Sequence, residues 1–181
     1  MLASSLNREL IDWQPALAAR QPWRAWTAVF VHYSGLHLAA NLAGAALVGA
    51  LGLVARLPLR AAAAWFVAWP LTQLGLLAQP ELLHYGGLSG VLHAGVAVIA
   101  VQLLWTGDTR RRRIGAAIVA GLALKLLSEA PWDGPLRRPA GWDIAIAPLA
   151  HTSGAVAGAI CALMAQWRHR HRAPPTMRAD D

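Results

Sequence analysis

Charge is scarce in this sequence. Asp, Glu, Lys and Arg make up only 14% of its 181 residues, against about a quarter in an ordinary soluble domain, while 56% of the chain is hydrophobic. With a mean hydropathy of +0.40, this excludes an ordinary soluble domain and describes an integral membrane protein. Cysteine is nearly absent as well. Cys161 stands alone inside an apolar run, so an internal disulfide is impossible and the redox compartment cannot be read. No His-Glu-x-x-His pair occurs, and no two histidines lie four apart on one helix within a span, which leaves metal-ligand spacing without support. Residues 1–22 are too polar for a span and too weakly basic and apolar for a signal peptide, so they are expected to lie at the interface.

What is present is a series of apolar runs. A hydrocarbon core of roughly 30 Å takes about 20 residues of helix, and runs of that order fall at about 36–55, 61–80, 88–106, 114–130 and 144–167. The expected fold is all-α, a polytopic membrane helical bundle with about five visible transmembrane helices in one compact domain. Pro70 predicts a kink in the second span, and Trp105, Trp132, Trp142 and Trp167 sit near span ends as an aromatic belt. The expected organisation is a polar segment over 1–22, a membrane domain over 23–168 and a basic, disordered cytoplasmic tail over 169–181.

A net charge of +7 could point to nucleic acid, but the arginines are placed otherwise. Arg56 and Arg60, Arg110 to Arg113, and Arg168, Arg170, Arg172 and Arg178 share one side of the membrane, ten against the five at Arg8, Arg20, Arg24, Arg137 and Arg138. The positive-inside rule therefore predicts a cytoplasmic C-terminus and an extracytoplasmic loop 81–88. The bilayer is the expected partner, and no nucleic acid is.

Polar groups inside spans are costly and mark candidate sites. Those that the spans contain or abut are His32, His37, Asn41, Ser89, His93, Lys125, Glu129 and His151. Nucleophilic catalysis needs a hydroxyl, a base and donors for an oxyanion. Ser89, flanked by Gly86, Gly87 and Gly90, opens the third run, where a helix start would leave free N–H groups. On its own Ser89 is more often a helix N-cap than a nucleophile, and a single His151 more often a packing or hydrogen-bonded histidine. Gly154 and Gly158 share a helix with His151, and such small residues let helices approach closely in lipid. Lys125 and Glu129, four apart, share a helix face and read as a structural ion pair. His93, one turn after Ser89, reads as either pocket wall or buried hydrogen bonder.

Three blocks together carry a resemblance. His32-Tyr33-Ser34-Gly35-Leu36-His37-Leu38-Ala39-Ala40-Asn41, Gly87-Leu88-Ser89-Gly90 and Ala150-His151-Thr152-Ser153-Gly154-Ala155-Val156-Ala157-Gly158 resemble, in order, the signature blocks of rhomboid intramembrane serine proteases. Trp23-Arg24 is similar to the tryptophan-arginine pair of that family's first luminal loop. The resemblance implies a catalytic dyad of Ser89 and His151 with no acid required. It further implies oxyanion donors at His37 and Asn41, and a loop-ordering hydrogen bond from His32. Gly87, Gly90, His93 and Gly154 would shape or support the pocket. The short Gly86-to-His93 form and the Lys125…Glu129 pair are similar to rhombosortases, bacterial enzymes whose clients carry a C-terminal Gly-Gly motif, a hydrophobic helix and a basic end. The family core has six spans, and the first is not visible in this sequence.

The expected activity is that of an intramembrane serine endopeptidase acting on membrane-anchored proteins, without cofactor or metal. The expected location is the bacterial inner membrane, with the site facing the periplasm. Two alternatives stand beside it: a catalytically silent rhomboid-like protein that binds client helices, and a haem- or metal-binding protein using His32, His37, His84, His93 and His151.

Overall fold

The computed structural model describes residues 8–172, and among them it contains six α-helices and no strand. They are α1 (Arg24–Thr27), α2 (Gly35–Val54), α3 (Leu59–Leu74), α4 (Ser89–Thr106), α5 (Thr109–Ser128) and α6 (Pro148–Arg172), with a 3-10 turn over Gly75–Ala78 extending α3. Start signals in the sequence set several of these boundaries. Ser34 caps α2 by accepting the His37 N–H at 3.0 Å, and Asp108 caps α5 by accepting the Arg111 N–H at 2.9 Å. Pro58, in extended conformation, precedes α3, which runs on through Pro70.

The long helices alternate in direction, so the N-terminal ends of α2, α4 and α6 gather at one end of the bundle with the C-terminal ends of α3 and α5. The arginine cluster of α5 lies at the opposite end. Helix α4 is mostly apolar and largely buried because α2, α3, α5 and α6 surround it. Lipid tails are as apolar as leucine, so close backbone packing must hold these helices together. A Cβ at Gly154 would stand 2.0 Å from the Gly90 carbonyl oxygen, and one at Gly158 would stand 2.3 Å from that of Ala94. Ala64 and Ala68 of α3 close the same seam against Ala94, Ala157 and Cys161.

Helix α2 is held differently. Only 17% of its membrane-length window is buried, and it meets the bundle chiefly along α4. Leu42 and Leu53 are exposed, as lipid-facing side chains are.

Among the described residues, four helices are long and apolar enough to cross a membrane: α2, α3 with its 3-10 extension, α4 and α6. The polytopic helical bundle thus agrees with the sequence reading, with one difference in the run at 114–130. Helix α5 begins at Thr109, so Arg110 to Arg113 fall inside it and Lys125 lies in its last turn. Its apolar stretch is correspondingly shorter than a span.

The segment before α1 belongs to the same core. Trp13 is fully buried among Ala25, Ala28, Leu76, Leu82 and Tyr85. At the other end α6 continues as helix through residues 169–172, the first four of the tail expected to be disordered, and the Trp167 and His171 rings meet at a tilt with centroids 4.7 Å apart. The rest of that tail, 173–181, lies outside the described residues, as do residues 1–7.

Candidate active site

Ser89 is the first residue of α4 and not its cap. Leu88 holds the cap position, with no side chain closing the first turn. The Ser89 hydroxyl is therefore available elsewhere, and its Oγ lies 2.9 Å from His151 Nε2. The two residues are far apart in sequence and meet because α4 and α6 touch backbone to backbone at Gly90 and Gly154. Gly90 also faces the Ala150 carbonyl, which a Cβ there would approach to 2.8 Å.

The loop leading into Ser89 is tied down by residues far from it in sequence. Trp13 and Tyr85 exchange two main-chain hydrogen bonds, each of 2.8 Å, and the Gly87 N–H donates to the Ala28 carbonyl at 2.9 Å. Gly87 has φ +129, a conformation that a residue with a Cβ rarely adopts. Asp12, almost fully buried, accepts from Arg24 at 3.1 Å and contacts His84 at 2.7 Å. Arg24 also donates to the Asp12 and Glu9 carbonyls, both at 2.8 Å. Sequence reasoning noted Arg24 and missed its partner Asp12. A lone acid in a polar segment carries no signal of a contact across the fold.

His37 and Asn41 project from one face of α2 toward this loop. A Cβ on Gly87 would fall 2.7 Å from His37 Nε2 and 3.6 Å from Asn41 Nδ2, so both nitrogens lie against the main chain just before Ser89. The Tyr33 N–H points at His37 Nδ1 at 3.5 Å. A ring nitrogen that accepts must carry no hydrogen, which in neutral imidazole leaves the hydrogen on Nε2. Asn41 Nδ2 is buried and has no hydrogen-bond partner in the protein. An unused buried donor is costly, and its place beside the Ser89 helix start suits an oxygen that acquires negative charge. His32 sits behind His37, ring centroids 5.0 Å apart, with Nδ1 3.3 Å from the Phe30 carbonyl.

Two further groups bear on His151. His93 stacks on it, with centroids 4.2 Å apart and planes 13° from parallel, and its Nδ1 lies 2.7 Å from the Ser89 carbonyl oxygen. A carbonyl only accepts, so His93 carries its hydrogen on Nδ1. Glu129 contacts Lys125 through Oε1, as their spacing predicts, while its Oε2 lies 2.7 Å from His151 Nδ1. The second contact was not legible in the sequence.

Tyr85, beside Ser89, holds its proton firmly. Burial pushes the Tyr85 phenol up to about 12, with Ser89 and the Gly90 main chain lowering it only in part. It stays protonated at neutral pH.

A cavity of about 870 Å³ opens onto these groups. Ser89, His93, His151, His37 and Asn41 form its reactive wall, and Arg137, Arg138 and Trp142 of the loop between α5 and α6 lie across from them. Ser34 joins the two sides: its Oγ caps α2 and also donates to Asp143 at 2.8 Å. The arrangement supplies a hydroxyl, a base within hydrogen-bond reach, and several donors beside a helix N-terminus, which is what acyl transfer requires. Among the described residues, no three His, Cys, Asp or Glu side chains converge as a metal site needs.

No curated protein and no solved structure matches the chain. The family model of the Rhomboid domain does match, over residues 19–168. That span takes in α1 to α5 and nearly all of α6, and with them the Ser89, His151, His37 and Asn41 blocks. The chain is an integral membrane protein and belongs to the rhomboid family, whose members are intramembrane serine proteases.

Proposed function

We propose that this protein is a serine endopeptidase that cleaves membrane-tethered proteins beside their transmembrane segment. The observation that carries this reading is the 2.9 Å contact between Ser89 Oγ and His151 Nε2 on the wall of a cavity. Ser89 attacks the peptide carbonyl while His151 takes its proton. The tetrahedral oxyanion is held by Asn41 Nδ2, His37 Nε2 and the Ser89 N–H. Return of the proton from His151 to the leaving amine breaks the peptide bond and leaves an ester on Ser89. Water, activated by the same imidazole, then hydrolyses that ester.

The substrate class within this chemistry is a secreted-side protein tethered by a C-terminal helix, with flexible Gly-Gly residues ahead of it, as for a rhombosortase. The likeness of the Gly86-to-His93 form and of the Lys125 and Glu129 pair to rhombosortases supports this. The arginine distribution supports a periplasm-facing site in a bacterial inner membrane, with the C-terminus in the cytoplasm.

The decisive experiment is covalent labelling of the purified protein with a fluorophosphonate. Wild type is expected to label and Ser89→Ala not to. Equal labelling of the two would overturn the reading.

A further inference from the structure

The geometry points to Glu129 as a positioning residue that completes a Ser89–His151–Glu129 relay, an acid beyond the serine–histidine pair. This rests on the roles proposed above for Ser89 and His151.

Three observations carry it. Glu129 Oε2 lies 2.7 Å from His151 Nδ1, on the side of the imidazole opposite Ser89. An ionised carboxylate only accepts, so this contact holds the hydrogen on Nδ1 and presents Nε2 to the serine hydroxyl as a bare lone pair. Glu129 is also 8% exposed, and a carboxylate that deep needs partners. Oε1 has Lys125 and Oε2 has His151, so both oxygens are satisfied.

The third observation is the local backbone. Glu129 is the C-cap of α5, where the helix dipole disfavours negative charge and a basic residue is the ordinary choice. The next residue, Ala130, has φ +45, a left-handed conformation uncommon for a residue with a Cβ. Arg137 Nη1 donates to the Glu129 carbonyl at 2.9 Å and fixes the turn. An acid held against the dipole and followed by a strained residue requires a compensating role. Orienting His151 supplies it.

In the reaction, the Ser89 proton moves to Nε2 as Oγ bonds to the substrate carbon, and His151 becomes an imidazolium. Glu129 keeps its negative charge beside Nδ1–H throughout and takes no proton. His151 then gives the Nε2 proton to the departing amine and returns to its starting form. The parallel stack with His93 restricts the imidazole plane during both transfers.

A structural ion pair with Lys125 is the competing account, and Glu129→Gln, Glu129→Asp and Lys125→Met separate the two. The relay predicts that Glu129→Gln lowers kcat by about 100- to 10,000-fold with KM within about threefold of wild type, because the amide favours the wrong tautomer. Glu129→Asp recovers part of the rate, and Lys125→Met loses far less than Glu129→Gln. In 15N-histidine-labelled protein, a strongly deshielded Nδ1–H signal of His151 is expected in wild type and absent in Glu129→Gln. Cleavage by Glu129→Gln within threefold of wild type, or an equal loss in Lys125→Met, overturns the proposal. If Glu129→Gln does not fold, the wild-type spectrum decides, and absence of the deshielded signal overturns it. Failure of the underlying reading appears separately, as cleavage by Ser89→Ala.

Discussion

Replacing Gly154 with alanine tests whether backbone contact sets the distance between Ser89 and His151. The added Cβ would stand 2.0 Å from the Gly90 carbonyl oxygen, about 1.4 Å short of the 3.4 Å at which ordinary contact begins. Neither partner can give way by rotating a side chain, because the obstacle is main chain. Helices α4 and α6 must therefore separate or slide, and His151 lies one turn from Gly154 on the same helix. A movement of that size carries the 2.9 Å Ser89–His151 contact beyond the range of a hydrogen bond. Misplacement of reacting groups by about 1 Å costs on the order of 100-fold in rate, and overpacking a tight interface costs about 1–3 kcal/mol of stability. The assay is cleavage of a membrane-tethered client in proteoliposomes, paired with thermal unfolding in detergent. Gly121→Ala serves as control, since nothing lies within 4 Å of a Cβ there. Cleavage by Gly154→Ala within about threefold of wild type, at unchanged stability, would refute the argument.

Asn41→Ala removes one proposed oxyanion donor and is expected to lower kcat by about 10- to 1000-fold with little change in KM. Michaelis–Menten analysis in proteoliposomes checks this, and a rise in KM at constant kcat would reassign Asn41 to substrate binding. For the client, changing the Gly-Gly before its C-terminal helix to Leu-Leu is expected to block cleavage and leave insertion intact, because a mid-helix glycine weakens a helix by roughly 1 kcal/mol relative to alanine. Gel mobility of the membrane-inserted client reads this out, and efficient processing of the Leu-Leu form would remove the proposed preference.

The bundle was legible because the apolar runs are long and their polar interruptions short. Helix α5 was the exception: a lipid-crossing run and a helix that starts inside an arginine cluster look alike over 114–130, and only the cap at Asp108 marks the earlier start. Ser89, His37, Asn41 and His151 were legible because each sits in a compact local pattern. Glu129 was misleading for the opposite reason. Its four-residue spacing to Lys125 offers one carboxylate oxygen a complete local account, and nothing in the spacing signals that the other oxygen reaches His151 across the α5–α6 loop. Asp12 and Tyr85 were silent too. Their role is to pin the loop before Ser89, and that depends on pairings of the chain start with residues some seventy positions later.

The attachment of α2 divides the site into a stiff part and a compliant one. Ser89 and His151 sit on α4 and α6, whose main chains touch, whereas His37 and Asn41 ride on a helix of which little is buried within the bundle. A cleft built this way yields first at its thinly anchored wall. On the proposed reading, a bulky substrate that widens it displaces the His37 and Asn41 side chains while the distance between Ser89 and His151 is conserved, and so lowers the rate of reaction more than the strength of binding.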